Sequence, residues 1–393
     1  MQSIAQAAAQ MLTDGLLPFW KGLRDEEYGG YYGYMDFDLH VDKKAEKGCI
    51  LNSRILWFFS EAAAATGDVE LWHHAWHAYR FLTEKCLDRE QGGVYWSVTY
   101  DGQPLDDTKH TYNQAFAIYA LSAFYRLTKA PEALTLAQEL FELIETRCRN
   151  EGGYLEAFTR DFRPASNEKL SENGVMAERT MNTLLHVFEG YAGLYQAKKI
   201  PAVAAAMERI LEIYESKVYN PTLHRQEVFF DKDYHTLIDL TSYGHDIESS
   251  WLIDWGCSLL ENPALTEKIA AINSDLADSV LRTAFNGSLA NECERGVVDG
   301  HRVWWVQAEA LLGFVNEFQK HPDRTDCRDA AVSLWRYINE KLVDTRPGGE
   351  WFWRLEADGT PDKTKPVVEP WKCPYHNGRM CLELMRRNPD VYV

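Results

Sequence analysis

Nothing in the chain reads as a cradle for a nucleotide or a metal ion. There is no P-loop, no GxGxxG after a strand, no HExxH and no EF-hand loop. Gly-x-Ser-x-Gly is also missing, which argues against a hydrolase nucleophile elbow. The sequence therefore calls for no cofactor. Long apolar runs are absent as well, and no stretch approaches the roughly 18 residues of a membrane span. The opening MQSIAQAAAQ lacks a basic segment followed by an apolar core, so no signal peptide is expected. None of the eight cysteines (49, 86, 148, 257, 293, 327, 373 and 381) forms a CxxC pair. Several lie in apolar helical runs, which suits buried thiols in a cytoplasmic protein better than a disulfide frame or a zinc site. No Gly/Ser linker, Pro-rich stretch or long charge run divides the chain, so residues 1–393 read as one domain. Cations are in deficit, 41 Lys and Arg against 59 Asp and Glu, a net charge of −18. Such a surface repels nucleic acid and anionic membranes and leaves a small neutral or cationic ligand as the expected partner. A monomer or weak homo-oligomer is expected.

Aromatic residues, by contrast, are plentiful: 13 Trp, 20 Tyr and 17 Phe. They suit either a large helical core or a carbohydrate cleft, since the C–H faces of sugars stack on rings. Helical periodicity dominates, over about 2–24, 46–66, 69–86, 110–129, 131–148, 174–197, 201–216, 244–261, 264–284, 301–319, 325–341 and 374–388. Connections alternate in length. Tight turns such as Thr66-Gly67-Asp68, Lys129-Ala130-Pro131 and Glu261-Asn262-Pro263 carry helix-stopping chemistry. The other connections are long, and strand-like stretches such as Gly93 to Val98 fall in them.

Gly-Gly followed by aromatics occurs at Gly29-Gly30-Tyr31, Gly92-Gly93-Val94-Tyr95, Gly152-Gly153-Tyr154 and Gly348-Gly349-Glu350-Trp351. The period is about 65 residues, one helix pair plus a hairpin loop. Missing copies should fall near 220 and 285. Six periods fill the chain and predict an all-α fold, an (α/α)6 barrel of six helix pairs with long hairpin-containing loops on one rim. An open solenoid has the same periodicity.

If the ring closes, the even-numbered helices start from the long-loop rim. Their first turns carry Asn52 and Arg54; His110, Tyr112 and Asn113; Asn182 and His186; Tyr243, His245, Asp246 and Glu248; Arg302, Trp304, Trp305, Gln307 and Glu309; Tyr375, His376, Asn377 and Arg379. Polar groups inside a barrel need a reason, either a ligand cleft or a satisfied structural network. His73, His74 and His77 fall on an odd-numbered helix and read as surface or packing residues.

These residues carry a family resemblance. Trp371-Lys372-Cys373-Pro374-Tyr375-His376-Asn377-Gly378-Arg379, Ser242-Tyr243-Gly244-His245-Asp246-Ile247-Glu248 and Arg302-Val303-Trp304-Trp305-Val306-Gln307-Ala308-Glu309 resemble motifs of the cellobiose 2-epimerases. So do Ser53 to Trp57, Lys109 to Asn113, and Leu170-Ser171-Glu172-Asn173-Gly174 followed by Thr180-Met181-Asn182 and His186. The resemblance covers essentially the whole chain. It implies a cofactor-free isomerase that opens the reducing-end glucose of a β-1,4-linked disaccharide, inverts C2 and closes the ring as mannose. It further implies His245 and His376 as the acid/base pair, His186 in ring opening or in holding the carbonyl oxygen, and Arg54 on the developing oxyanion. Glu248 would orient a histidine or bind a hydroxyl. Tyr112, Asn182, Trp304, Trp371, Glu309 and Arg379 would bind sugar, with Trp371 at the second ring. Imidazoles suit the task because they titrate near neutral pH. An inverting glycoside hydrolase built on Glu248 and Glu309 would need these carboxylates roughly 6.5–9.5 Å apart across the bond. A non-catalytic sugar binder would need no acid/base pair.

Overall fold

Each outer helix shows one buried face, whereas the inner helices are buried nearly all round, and this difference sorts the helices into two layers. The computed structural model describes residues 2–171 and 173–393. The helices are α1 (Ile4–Met11), α2 (Leu17–Gly22), α3 (Cys49–Thr66), α4 (Val69–Phe81), α5 (Thr111–Thr128), α6 (Pro131–Leu143), α7 (Met181–Ala197), α8 (Pro201–Ile213), α9 (Tyr243–Leu259), α10 (Pro263–Thr283), α11 (Trp304–Lys320), α12 (Thr325–Tyr337) and α13 (His376–Arg387). A π-turn at Leu12–Leu16 runs α1 into α2, so the two act as one outer helix. In α4 the buried side is Leu71, His74, Ala75, Ala78 and Phe81, the spacing of one helical face. In α3 every residue from Cys49 to Ser60 is buried.

The inner helices α3, α5, α7, α9, α11 and α13 pack each against the next, and α13 packs back on α3, which closes the ring. The helices α4, α6, α8, α10 and α12 lie outside, and α1 packs on α13. The expected six-pair (α/α)6 arrangement is thus observed, and the open solenoid is not. The inner helices approach closely where a side chain is missing. A Cβ on Gly190 of α7 would sit 2.6 Å from the Ala115 carbonyl oxygen of α5.

Turn chemistry sets which rim each connection joins. Gly67 takes φ +71° just past α3, and Asp68 caps α4 by accepting from the Glu70 amide at 2.8 Å. Proline opens α6, α8 and α10, where its missing N–H costs nothing. These tight turns share one rim. The long loops share the other, and each begins with a small hairpin. The pairings are Arg24 with Tyr31, Leu87 with Val94, Arg149 with Tyr154, Asn220 with Arg225, Phe285 with Leu289 and Val343 with Trp351. The copies expected near 220 and 285 are there without their Gly-Gly.

Buried cations tie most of these hairpins to the next inner helix. Lys47 donates to Asp25 at 2.6 Å, Lys109 to Asp88 at 3.1 Å, Arg179 to Asn150 at 2.8 Å, and Lys372 pairs closely with Glu350. Three helix starts differ from the sequence reading by three residues or more. The helix expected from 46 begins at Cys49, because Lys47–Gly48 pair as a strand with Ser97–Val98. The helix expected from 174 begins at Met181, because Arg179–Thr180 pair as a strand with Phe229–Phe230. The one expected from 301 begins at Trp304, because Arg302–Val303 pair with Arg354–Leu355. Among the described residues no helix is long and apolar enough to cross a membrane. All eight cysteines are free, and all but Cys293 are buried.

Candidate active site

The first turns of the inner helices converge on one cavity of about 250 Å³ at the long-loop rim. Its wall includes Arg54, Tyr112, Asn182, His186, His245, Glu248, Trp304, Trp305, Trp371 and His376 from the sequence-derived set, together with Trp353 and Arg354. Glu309 and Arg379 stand behind the wall. Arg379 is 1% exposed and reaches three carboxylates on three helices: Glu189 at 2.6 Å, Glu248 at 2.5 Å and Glu309 at 2.8 Å. Such charge-assisted bonds offset the cost of burying four ions together.

The three histidines are held by different partners. His376 Nδ1 lies 2.7 Å from Glu309 Oε1, and Trp251 donates to the other oxygen of that carboxylate at 2.9 Å. His186 Nδ1 lies 2.8 Å from Glu189 Oε2. His245 Nδ1 lies 2.7 Å from the Ser242 hydroxyl. In each ring Nδ1 is engaged, which leaves Nε2 as the free nitrogen. The Trp305 ring packs against both His245 and His376, at 4.8 and 5.4 Å between centroids.

Burial governs the titration of this cluster. It drives the His245 imidazole down to about 3, with the His186 charge adding to the effect. It also holds His376 well below the usual histidine range, helped by the Arg379 and Arg54 cations. It pushes Glu248 up to about 7, and the nearby Glu309 charge adds to that. Glu309 is raised by burial too, against the pull of Arg379. Glu189 is the exception: burial acts upward on it, but Arg379 and His186 together carry it below the ordinary value.

Several cavity atoms have no partner within the protein. Asn182 Oδ1, Glu248 Oε2, Trp304 Nε1 and Arg54 Nε are buried without a hydrogen bond. Unpaired buried polar atoms are costly, so a ligand rich in hydroxyls suits them. Arg54 also donates to the Tyr112 hydroxyl at 2.9 Å, and its guanidinium lies over the Phe116 and Tyr375 rings.

Other polar residues of the same turns are structural. Asn52 accepts from the Tyr31 amide at 3.3 Å and donates to Gly48. Gln114 accepts from the Val94 amide at 2.7 Å and donates to its carbonyl, and Gln307 does the same with Leu289 at 2.8 Å. Asp246 accepts from the Gln226 amide at 3.0 Å. Each clamps the hairpin of its own pair. Asn113 donates to Tyr95, Arg302 to Ser288, and Asn377 pairs closely with Glu350. His74 and His77 are packing residues, bonded to the Tyr31 hydroxyl and the Gly30 carbonyl at 2.9 Å.

Glu189, Ser242, Trp353 and Arg354 were not singled out from the sequence. Glu189 had a signal, an acid three residues after His186 in an otherwise apolar helix. Ser242 sat inside a quoted motif. Trp353 and Arg354 follow a Gly-Gly copy on a hairpin and carried none. Glu172, within another quoted motif, lies outside the described residues.

Among the described residues two sets of side chains can converge on a metal ion. Glu248, Glu309 and His376 form the buried one, but the Arg379 Nη2 nitrogen bonds both carboxylates there, and its charge opposes a second cation. Asp231, Asp233 and His235 form the other, an exposed turn in which Asp231 accepts the amides of Asp233 and His235 at 2.8 and 2.9 Å. Asp36 and His40 repeat that turn.

Comparison with known proteins agrees with the motif resemblance along the whole chain. The family model described as N-acylglucosamine 2-epimerase matches residues 30–377. A protein of Eubacterium cellulosolvens named cellobiose 2-epimerase is 52% identical over 97% of this chain and 98% of its own. The crystal structure of a sugar epimerase from a ruminal bacterium superposes with a TM-score of 0.97 at 46% identity, covering 99% of this chain and 100% of that one. Cellobiose 2-epimerase from Bacillus thermoamylovorans superposes with a TM-score of 0.93 at 43% identity, covering 98% and 99%.

Proposed function

The chain belongs to the N-acylglucosamine 2-epimerase family and is a carbohydrate epimerase, and from that premise we propose that it interconverts cellobiose and glucosyl-mannose, and lactose and epilactose, by a two-histidine reaction at C2. The observation that carries this reading is a pair of imidazoles on different inner helices, α9 and α13, with the Trp305 ring against both and Nδ1 engaged in each.

A cavity of about 250 Å³ falls below the ~300 Å³ lower end of ordinary ligand pockets. It suits one sugar ring, so the second projects through the mouth beside half-buried Trp371. Ring opening exposes the C1 aldehyde and acidifies the C2 proton. His186, fixed by Glu189, and Arg54 face the carbonyl oxygen, and Arg54 stabilises the charge that develops there. One of His245 and His376 starts neutral and removes the C2 proton. The other, neutral in the free site, takes up a solvent proton as charge develops on the substrate and returns it to the opposite face, giving the epimer. The enediolate between them favours the charged form of each ring, against the downward pull of burial. Asn182, Glu248 and Trp304 supply unpaired polar atoms to hydroxyls of the opened chain. Glu309 and Arg379 act from behind the wall as positioning residues. The hydrolase reading fits poorly, because Glu248 and Glu309 share one guanidinium nitrogen and lie on the same side of the cavity.

The test is proton NMR of cellobiose in heavy water with His245→Ala and His376→Ala. Each variant should lose net epimerisation, about 10²-fold or more. One should still wash deuterium into the glucose form and the other into the mannose form. Ring opening is checked alongside by carbonyl trapping. Near-normal epimerisation by either variant would overturn the two-histidine mechanism.

A further inference from the structure

Trp371 lies in a segment without regular structure, ahead of α13, so neighbouring side chains must fix its ring. Two aromatic rings do so. Tyr112 meets it edge-on from the cavity wall at 5.9 Å between centroids, and Trp96 meets it edge-on at 5.7 Å. Trp96 does not line the cavity. It is itself clamped. The His110 ring packs against it at 4.6 Å, and the Lys169 ammonium stands over the indole 4.9 Å from its centroid. Lys169 is anchored in turn by a close ion pair with Asp106 and by the Thr108 hydroxyl at 2.9 Å. The next residue, Leu170, lines the cavity. A chain of contacts therefore runs from Asp106 through Lys169 and Trp96 to the Trp371 indole.

We propose that Trp96, locked by Lys169, is a positioning residue that fixes the plane of Trp371 and thereby sets how well the site holds the sugar beyond the reducing end. This rests on the reading of Trp371 as the platform for that second sugar. An indole in an irregular segment has several accessible orientations, and a stacking platform is useful only in one. Support from behind removes the alternatives before substrate arrives. The arrangement is specific to Lys169. A cation over the indole face adds attraction that an apolar side chain of similar length lacks.

Steady-state kinetics on cellobiose and on free mannose test this, with Trp371→Ala as reference. Lys169→Met should raise KM for cellobiose roughly three- to fivefold, with kcat and the mannose parameters near those of the parent. Lys169→Arg, which keeps a cation over the ring, should restore the parent KM. Trp96→Ala should raise the cellobiose KM roughly tenfold and add nothing in a Trp371→Ala background. Lys169 is partly exposed, so its variants stay folded even if Trp96→Ala does not. If Trp371→Ala is selective for cellobiose while the Lys169 and Trp96 variants are not, the positioning role is overturned and the second-sugar reading stands. If Trp371→Ala harms both sugars equally, both fall.

Discussion

The same helical turns carry two kinds of buried polar residue, and they differ in whether the protein itself completes their hydrogen bonds. Asn52, Gln114 and Gln307 use both ends of their amides on backbone, and Asp246 accepts a buried amide. In the first turns of the inner helices too, Arg54, Asn182, Glu248 and Trp304 each leave a buried atom unpaired. The first set is finished when the chain folds. The second is finished only when something else arrives. Burial alone would not separate them, since both sets lie inside the ring. An unpaired atom together with a place on the cavity wall does.

Substitutions on each side should break this contrast differently. The largest expected effect is on the cavity side. Arg54→Met should lower kcat by about 10² to 10³, the scale for losing an oxyanion donor, while the melting temperature holds or rises. A parallel loss of stability would make Arg54 a structural residue. On the clamp side, Gln307→Ala strands the amide and carbonyl of Leu289 and should cost about 1–3 kcal/mol in denaturant unfolding. Its turnover per folded molecule should stay near that of the parent.

Asn182→Ala reverses that pattern, with a roughly tenfold loss in kcat/KM and an unchanged unfolding midpoint. The smallest effect sharpens the comparison through pH. Burial pushes the Asp246 carboxyl up to about 7, from an ordinary value of 3.8. A raised carboxyl stabilises the fold in its protonated form, so its contribution is present in acid and lost as pH rises toward 7. Asp246→Asn lacks that dependence. Melts should therefore show the variant gaining on the parent between pH 4 and pH 8. A constant difference would mean that the carboxyl ionises freely in the folded chain.

How much of this was legible depends on the kind of signal. The ring was legible because turn chemistry is local: Gly67, Asp68, Pro131, Pro201 and Pro263 stop and start helices wherever they occur. The Gly-Gly spacing then gave the period and located two hairpins that lack the glycines. The start of α7 was not legible. Val175 to Glu178 read as helical, but the pairing of Arg179–Thr180 with Phe229–Phe230, some fifty residues on, overrides local propensity. The site was legible as a set of first turns and illegible in its faces. An inner helix is buried on every side, so its sequence shows no apolar stripe from which to read rotation. Residues two apart point nearly opposite ways at 3.6 residues per turn. Hence Arg54 meets the cavity and Asn52 a hairpin, and likewise Tyr112 and Gln114. The long loops contributed Trp353 and Arg354, which helix arithmetic cannot place.

The reach of Arg379 has a consequence in time. Glu189, Glu248 and Glu309 leave the ribosome well before the helix that carries their shared counter-ion. Until that helix docks, the three acids repel one another across the centre of the unfinished ring, and His376 is not yet in place beside Glu309. With that helix undocked, the proposed histidine pair lacks one member. The segment that neutralises the interior also delivers one of the two proposed proton carriers, so docking of that helix, closure of the ring and assembly of the proposed pair fall together.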